Sequence, residues 1–194
     1  MSFMASYVAL WLLVAFLSSV AIGLLREVTD LKRSMGREGL APEPPLVIGS
    51  RAPNFSALDV GSGRRETADI LRGRSSLVVF TTPHCPTCRH LVHSLESVPG
   101  VGLFSKVTVC KGDKNDCGRF LDKLSPGVPL LLDAEGELSR AYGVLGYPAV
   151  VFVDAKRRVR AYGHPKDVKG FEQFVAGALR ELNTQASSLE LAMK

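Results

Sequence analysis

A mixed α/β domain, its central sheet covered by helices on both faces and preceded by an N-terminal transmembrane helix, is the architecture this sequence predicts. Three observations carry that expectation. An apolar run rich in β-branched residues, Leu77-Val78-Val79-Phe80-Thr81-Thr82, leads straight into Cys85-Pro86-Thr87-Cys88 and a helix-like pattern. A second apolar run, Ala149 to Asp154, is preceded by Gly146-Tyr147-Pro148. Around them strand-like and helix-like stretches alternate as βαβαβα and then ββα, which suits helices layered on a mixed sheet.

Taken in order, Leu77 to Thr82 reads as a buried strand. Cys85 to Val98 reads as a helix with Leu91, Val92, Leu95 and Val98 at core-facing spacing. Lys106 to Cys110 is a second strand, Gly118 to Leu124 a short helix, Val128 to Leu132 a third strand and Glu137 to Tyr142 another helix. Ala149 to Asp154 and Arg158 to Tyr162 follow as strands, with Arg157-Arg158 expected in a solvated turn between them. The last helix, Val168 to Leu182, sets Phe171, Phe174, Val175, Ala178, Leu179 and Leu182 on one stripe.

The 194 residues suit one globular domain of about 140 to 150 residues and an appendage. The appendage is Tyr7 to Leu25, nineteen residues without a charge and long enough to cross a bilayer as a helix. A cleaved signal peptide is the rival reading. Against it, no Lys or Arg precedes the segment, the apolar stretch exceeds the usual signal core, and Ser19-Val20-Ala21 is a poor cleavage site. The expected division is a short N-terminal segment (1–6), a membrane anchor (7–25), a charged stalk and Pro-rich linker (26–46), the domain (47–182) and a flexible tail (183–194).

Composition excludes several functions. The net charge of +5 is modest, and the basic residues are dispersed without interleaved aromatics, so no nucleic-acid partner is expected. There is no internal repeat, phosphate loop, zincin motif or acidic catalytic pair, and no cofactor is expected.

The Cys85–Cys88 spacing carries the chemistry. A cysteine that opens a helix points its sulfur at unpaired backbone N–H groups and the positive end of the helix dipole, which favours thiolate. Cys88 then lies one turn on, close enough to form a disulfide. Pro86 suits the first helical turn because its missing N–H would be unpaired there, and Thr87 adds no charge opposing the thiolate. The same spacing is half of a zinc knuckle, which His90 and His93 would complete as Cys2His2, so metal binding stays open here. At Pro148, an ordinary trans proline opening a strand also stays open.

A CxxC after one strand and X-Pro before a later one, with helices between, resemble the thioredoxin superfamily. Gly49-Ser50-Arg51-Ala52-Pro53-Asn54-Phe55, a hairpin-like Asp59 to Glu66, and Gly73-Arg74 before the long strand are similar to the opening of the redoxin branch. That branch includes peroxiredoxins and the TlpA/ResA thiol-disulfide proteins. An anchor reading Val8-Ala9-Leu10-Trp11-Leu12-Leu13 ahead of a Cys-Pro-x-Cys site is most similar to the MauD group of methylamine-utilisation accessory proteins.

The resemblance implies a thioredoxin-like fold in which a cis Tyr147–Pro148 bond faces the CxxC and its backbone cradles a substrate strand. It implies that Cys85 exchanges with a cysteine-containing protein substrate, that Cys88 resolves the mixed disulfide, and that a membrane or extracytoplasmic redox partner resets the pair. The chain departs from the family at three positions. Val79 stands where thioredoxin has a buried Asp, Leu91 where ResA-like proteins have a Glu, and His84 where the usual residue is Trp. A protonated His84 would stabilise the Cys85 thiolate; a solvent-exposed loop histidine would have little effect.

Cys110 and Cys117 bracket a polar loop, Lys111 to Asp116. A structural staple, a second redox pair and free thiols all remain open for them. Paired cysteines suit an oxidising compartment, which places the domain outside the cytoplasm, a single-pass membrane protein with an extracytoplasmic face. Arg26, Lys32, Arg33 and Arg37 follow the anchor and favour the opposite orientation. Two further function classes share the fold. A peroxiredoxin-like peroxidase needs a proline where Val78 stands, although Thr82 matches its threonine. A metal-binding chaperone would draw on Cys85, Cys88 and the distant His164.

Overall fold

The computed structural model of the chain describes residues 11, 13, 16–19, 46–120, 124 and 126–192, with side chains of the last helix described as far as 184. The chain divides into two units, Met1–Pro42 and Glu43–Lys194. In the first, Trp11, Leu13 and Phe16 to Ser19 are helical. The expected N-terminal segment, most of the anchor and nearly all of the stalk and linker lie outside the described residues, among which no helix is long and apolar enough to cross a membrane.

The second unit carries seven strands in one sheet. In chain order the elements are β1 (Ser56–Asp59), β2 (Arg65–Thr67), β3 (Ser76–Thr81), α1 (Pro86–Ser94), β4 (Ser105–Cys110), α2 (Lys114–Gly118), β5 (Leu130–Leu132), α3 (Glu137–Ala141), β6 (Ala149–Val153), β7 (Val159–Gly163) and α4 (Val168–Ala192). The sheet order is β2-β1-β5-β4-β3-β6-β7. β3 pairs parallel with β4 and antiparallel with β6, so it has neighbours on both edges.

That central position explains its composition. A strand covered on both faces reads as a continuous apolar run and not as an alternation, and Leu77, Val78, Val79 and Phe80 are each at most 1 % exposed. The pleat sends Leu77 and Val79 to a face packed by Leu91, Val92, Phe171 and Val175, while Val78 and Phe80 join Leu138 and Tyr142 on the other. Each such burial contributes roughly 1.5–3 kcal/mol. The stripe on α4 packs on the first face: Phe171, Val175 and Ala178 are buried, and Phe174, Leu179 and Leu182 border them.

Three expectations need correction. The short helix placed at Gly118 to Leu124 begins earlier, at Lys114, because the Asp113 carboxylate accepts the N–H groups of Asn115 and Asp116 at 2.9 Å and caps it. The last helix, expected to end at Leu182, continues to Ala192. Arg157 is not solvated but 3 % exposed. Its guanidinium donates to the carbonyls of Ala52 and Pro53 and to the Asn54 side chain, tying the N-terminal segment to the β6–β7 turn, where Arg157 adopts φ 61°.

Candidate active site

Cys85 is the N-cap of α1. Its backbone is extended (φ −94°, ψ 111°), and its sulfur accepts the backbone N–H of Cys88 at 3.1 Å. Pro86 takes the first helical turn, so one of the N–H groups that would lack a partner there is absent. Cys85 and Cys88 are joined in a disulfide with Cα atoms 5.2 Å apart. Cys85 is part-exposed and Cys88 is fully buried, so an incoming sulfur meets Cys85 first.

The opposite wall comes from the chain just before β6. The Tyr147–Pro148 bond is cis, and the Tyr147 carbonyl oxygen lies 3.9 Å from the Cys85 sulfur. Side chains hold this segment from two sides. On one, the Tyr147 hydroxyl donates to Ser139 Oγ at 2.8 Å, and Ser139 donates to Asp133 at 2.7 Å. Asp133 also accepts the N–H groups of Leu138 and Ser139 at 2.9 Å, fixing the first turn of α3. Burial raises the Tyr147 phenol above its ordinary pKa, with the Asp133 charge adding to the rise and the Ser139 hydrogen bond opposing it. The phenol therefore stays neutral, and stays a donor, at neutral pH.

On the other side His164 Nδ1 lies 3.2 Å from the Pro148 carbonyl oxygen, and Nε2 lies 2.7 Å from the Tyr162 hydroxyl. A carbonyl only accepts, so this geometry assigns the proton to Nδ1. A groove of about 460 Å³ opens beside the disulfide, lined by Thr87, Leu145 to Pro148, and His164 to Lys166. Leu145 on its rim is 96 % exposed.

The remaining residues singled out from sequence fall around this centre. The His84 side chain is 84 % exposed, with Nε2 3.8 Å from the Asp116 carboxylate on α2. Val79 and Leu91 are buried and apolar, leaving no acid at either of those positions. His90 and His93 are exposed on α1, whereas Cys88 is buried. Among the described residues no group of three or more His, Cys, Asp or Glu is arranged to hold a metal ion.

Cys110 and Cys117 form a second disulfide, Cα atoms 5.8 Å apart, and both are fully buried. Its loop backs the segment leading into the CxxC: a Cβ on Gly112 would come within 3.0 Å of Pro83. The part played by Asp133 and Ser139, and the contact of His164 with Pro148, were not read from the sequence. Asp133 ahead of a helical pattern was the available cue for the first; the second emerges only from the β6–β7 register.

Residues 48–162 match the AhpC/TSA family. The chain belongs to that family. Among curated relatives it is 31 % identical to the methylamine utilization protein MauD of Methylorubrum extorquens, over 82 % of this chain and 78 % of that protein. In fold it is similar to a DsbE-type thiol:disulfide interchange protein from Chlorobium tepidum, at 23 % identity and TM-score 0.59, over 69 % of this chain and 99 % of the other. A secreted disulfide oxidoreductase of Mycobacterium tuberculosis aligns at 26 % identity and TM-score 0.54, over 63 % of this chain and 95 % of the other. The α/β fold expected from the strand-then-CxxC pattern is thus a thioredoxin-like one.

Proposed function

We propose that this AhpC/TSA-family chain is a membrane-anchored thiol–disulfide oxidoreductase acting on cysteines of a protein substrate outside the cytoplasm. One observation carries the reading: a part-exposed Cys85, bonded to a buried Cys88, faces the backbone of a cis Tyr147–Pro148 segment across 3.9 Å. In the oxidising direction a substrate thiolate attacks Cys85 Sγ, the Cys85–Cys88 bond breaks, and Cys88 leaves as thiolate. A second substrate thiolate then attacks the substrate sulfur of the mixed disulfide, forming the substrate disulfide and releasing Cys85 as thiolate. The substrate loses two electrons and two protons, and the pair gains them; the reverse steps reduce a substrate disulfide. Helix-start N–H groups, including that of Cys88, stabilise the Cys85 thiolate released in the second step.

Likeness to a methylamine utilization protein supports a substrate in methylamine metabolism, and the MauD resemblance implies the bridge-rich small subunit of methylamine dehydrogenase as that substrate. All four cysteines are paired, which supports an oxidising compartment. Peroxide reduction fits poorly, because the proline position of the peroxidase motif is Val78, buried within β3. The test is catalysis by the full chain in detergent of disulfide exchange in a reduced, unfolded protein. Activity that survives Cys85→Ala would refute the reading.

A further inference from the structure

The end of the β6–β7 pairing has a defect that a side chain repairs. The register runs Val151↔Tyr162 and Val150↔Gly163, and continuing it would set Pro148 opposite Pro165. Neither residue has a backbone N–H, so no ladder hydrogen bond can close that position. Pro148 and Pro165 are both buried residues, and both line the groove beside Cys85. The His164 imidazole takes over: Nδ1 reaches the Pro148 carbonyl at 3.2 Å, and Nε2 is held by the Tyr162 hydroxyl at 2.7 Å. Tyr162 in turn lies 3.4 Å from the Gly143 carbonyl, at the start of the loop that leads to Tyr147.

We propose that His164 is a positioning residue for thiol–disulfide exchange, setting through the Pro148 carbonyl the backbone that faces Cys85. This rests on the proposed reading of the site. The effect falls on the step in which a peptide substrate lies along that backbone, and much less on attack by a small thiol that needs no such seat. The substitution His164→Asn keeps a donor at the δ position and so preserves the link to Pro148. In His164→Gln the donor sits farther out, toward Tyr162, and in His164→Phe the ring remains but carries no donor.

The experiment compares single-turnover reduction of the oxidised full chain by a reduced dicysteine peptide and by dithiothreitol. For His164→Phe the ratio of peptide rate to dithiothreitol rate should fall about three- to tenfold, the worth of one hydrogen bond. His164→Asn should keep the wild-type ratio, and His164→Gln should not. A wild-type ratio in His164→Phe, or a loss in His164→Asn as large as that in His164→Phe, would overturn the assignment. If the Phe variant does not fold, nitrogen-15 spectra of the wild-type ring decide: the Nδ1–H tautomer is expected, and the Nε2–H tautomer overturns it. Failure of the wild type to oxidise the peptide at all, while dithiothreitol reduces it, would instead sink the reading of the site.

Discussion

The Cys85 sulfur and the Tyr147 carbonyl oxygen, 62 positions apart in the chain, lie 3.9 Å from each other. β3 delivers one and β6 the other, and because those strands pair directly (Phe80↔Ala149), the two loops leave the sheet side by side. The sheet, not the loops, sets this approach.

Unequal access follows for the two sulfurs. Cys88→Ala should accumulate mixed disulfides between Cys85 and substrate proteins, seen as bands on non-reducing gels that vanish when Cys85 is also replaced. In the reduced protein Cys85 should alkylate readily near neutral pH, because the helix-start N–H groups favour its thiolate, while buried Cys88 stays inert. Equal alkylation of both would remove the division of roles.

The Tyr147–Ser139–Asp133 chain should behave as a unit. Tyr147→Phe removes the 2.8 Å hydrogen bond and should lower stability by about 1 kcal/mol, Ser139→Ala removes that bond and the one to Asp133 and should cost more, and both should slow exchange with protein substrates. The double variant should lose little more than Ser139→Ala alone, since that change already leaves the Tyr147 hydroxyl without its partner. Denaturant melts of the four proteins give the coupling directly, and full additivity would mean that the hydroxyl does not hold the loop.

The CxxC strand, the helix behind it and the stripe on α4 were legible because burial on one or both faces writes itself into residue spacing. Arg157 was not legible. A basic pair after Asp154-Ala155-Lys156 has the composition of an exposed turn, and only the arrival of Ala52 to Asn54 from 103 or more positions away supplies acceptors that let the guanidinium be buried. The start of α2 was missed for a local reason: Lys111 to Asp116 looks like a loop unless Asp113 is read as a cap. At the site, the cysteines and Pro148 stand out by residue type, whereas His164 gains its meaning from a register in which two prolines meet.

The second disulfide is expected to be a staple. Both sulfurs are buried beside Leu91 and Phe120, so no substrate thiol reaches them in the folded state. Replacing Cys110 and Cys117 together with Ala should cost about 2–3 kcal/mol, the loop-closure entropy for so short a ring. Single-turnover exchange at Cys85 should persist in the folded fraction. A collapse of turnover with unchanged stability would show instead that this pair passes electrons.

Asp59 gives a pH signature remote from the site. Burial pushes its carboxyl up, but hydrogen bonds from Ser62, Leu130 and Gly61 outweigh it and leave the pKa below the ordinary value. A depressed folded pKa contributes stability that is present above the unfolded value of about 3.9 and disappears as pH falls through the folded one. Asp59→Ala strips the acceptor from the buried Leu130 N–H, 3.0 Å away, and should cost about 1–3 kcal/mol at pH 7. The gap between variant and wild type should narrow below about pH 4; a constant gap would show that the carboxylate charge contributes nothing.

Sidedness sets two physical tendencies against each other. Arg26, Lys32, Arg33 and Arg37 directly after the apolar segment favour a cytoplasmic domain, whereas two disulfides among four cysteines persist only where the ambient couple cannot reduce them. We expect the second to describe the native protein. A phosphatase that needs its own disulfides, fused after Lys194, should be active, and Cys110–Cys117 should be found oxidised in protein trapped by acid from whole cells. Adding lysines before Tyr7 should raise the fraction so oriented, because the charge bias would then point the same way. An inactive phosphatase beside an active cytoplasmic reporter at the same junction would show that the charge bias had won, and the exchange reaction would then face the reducing side.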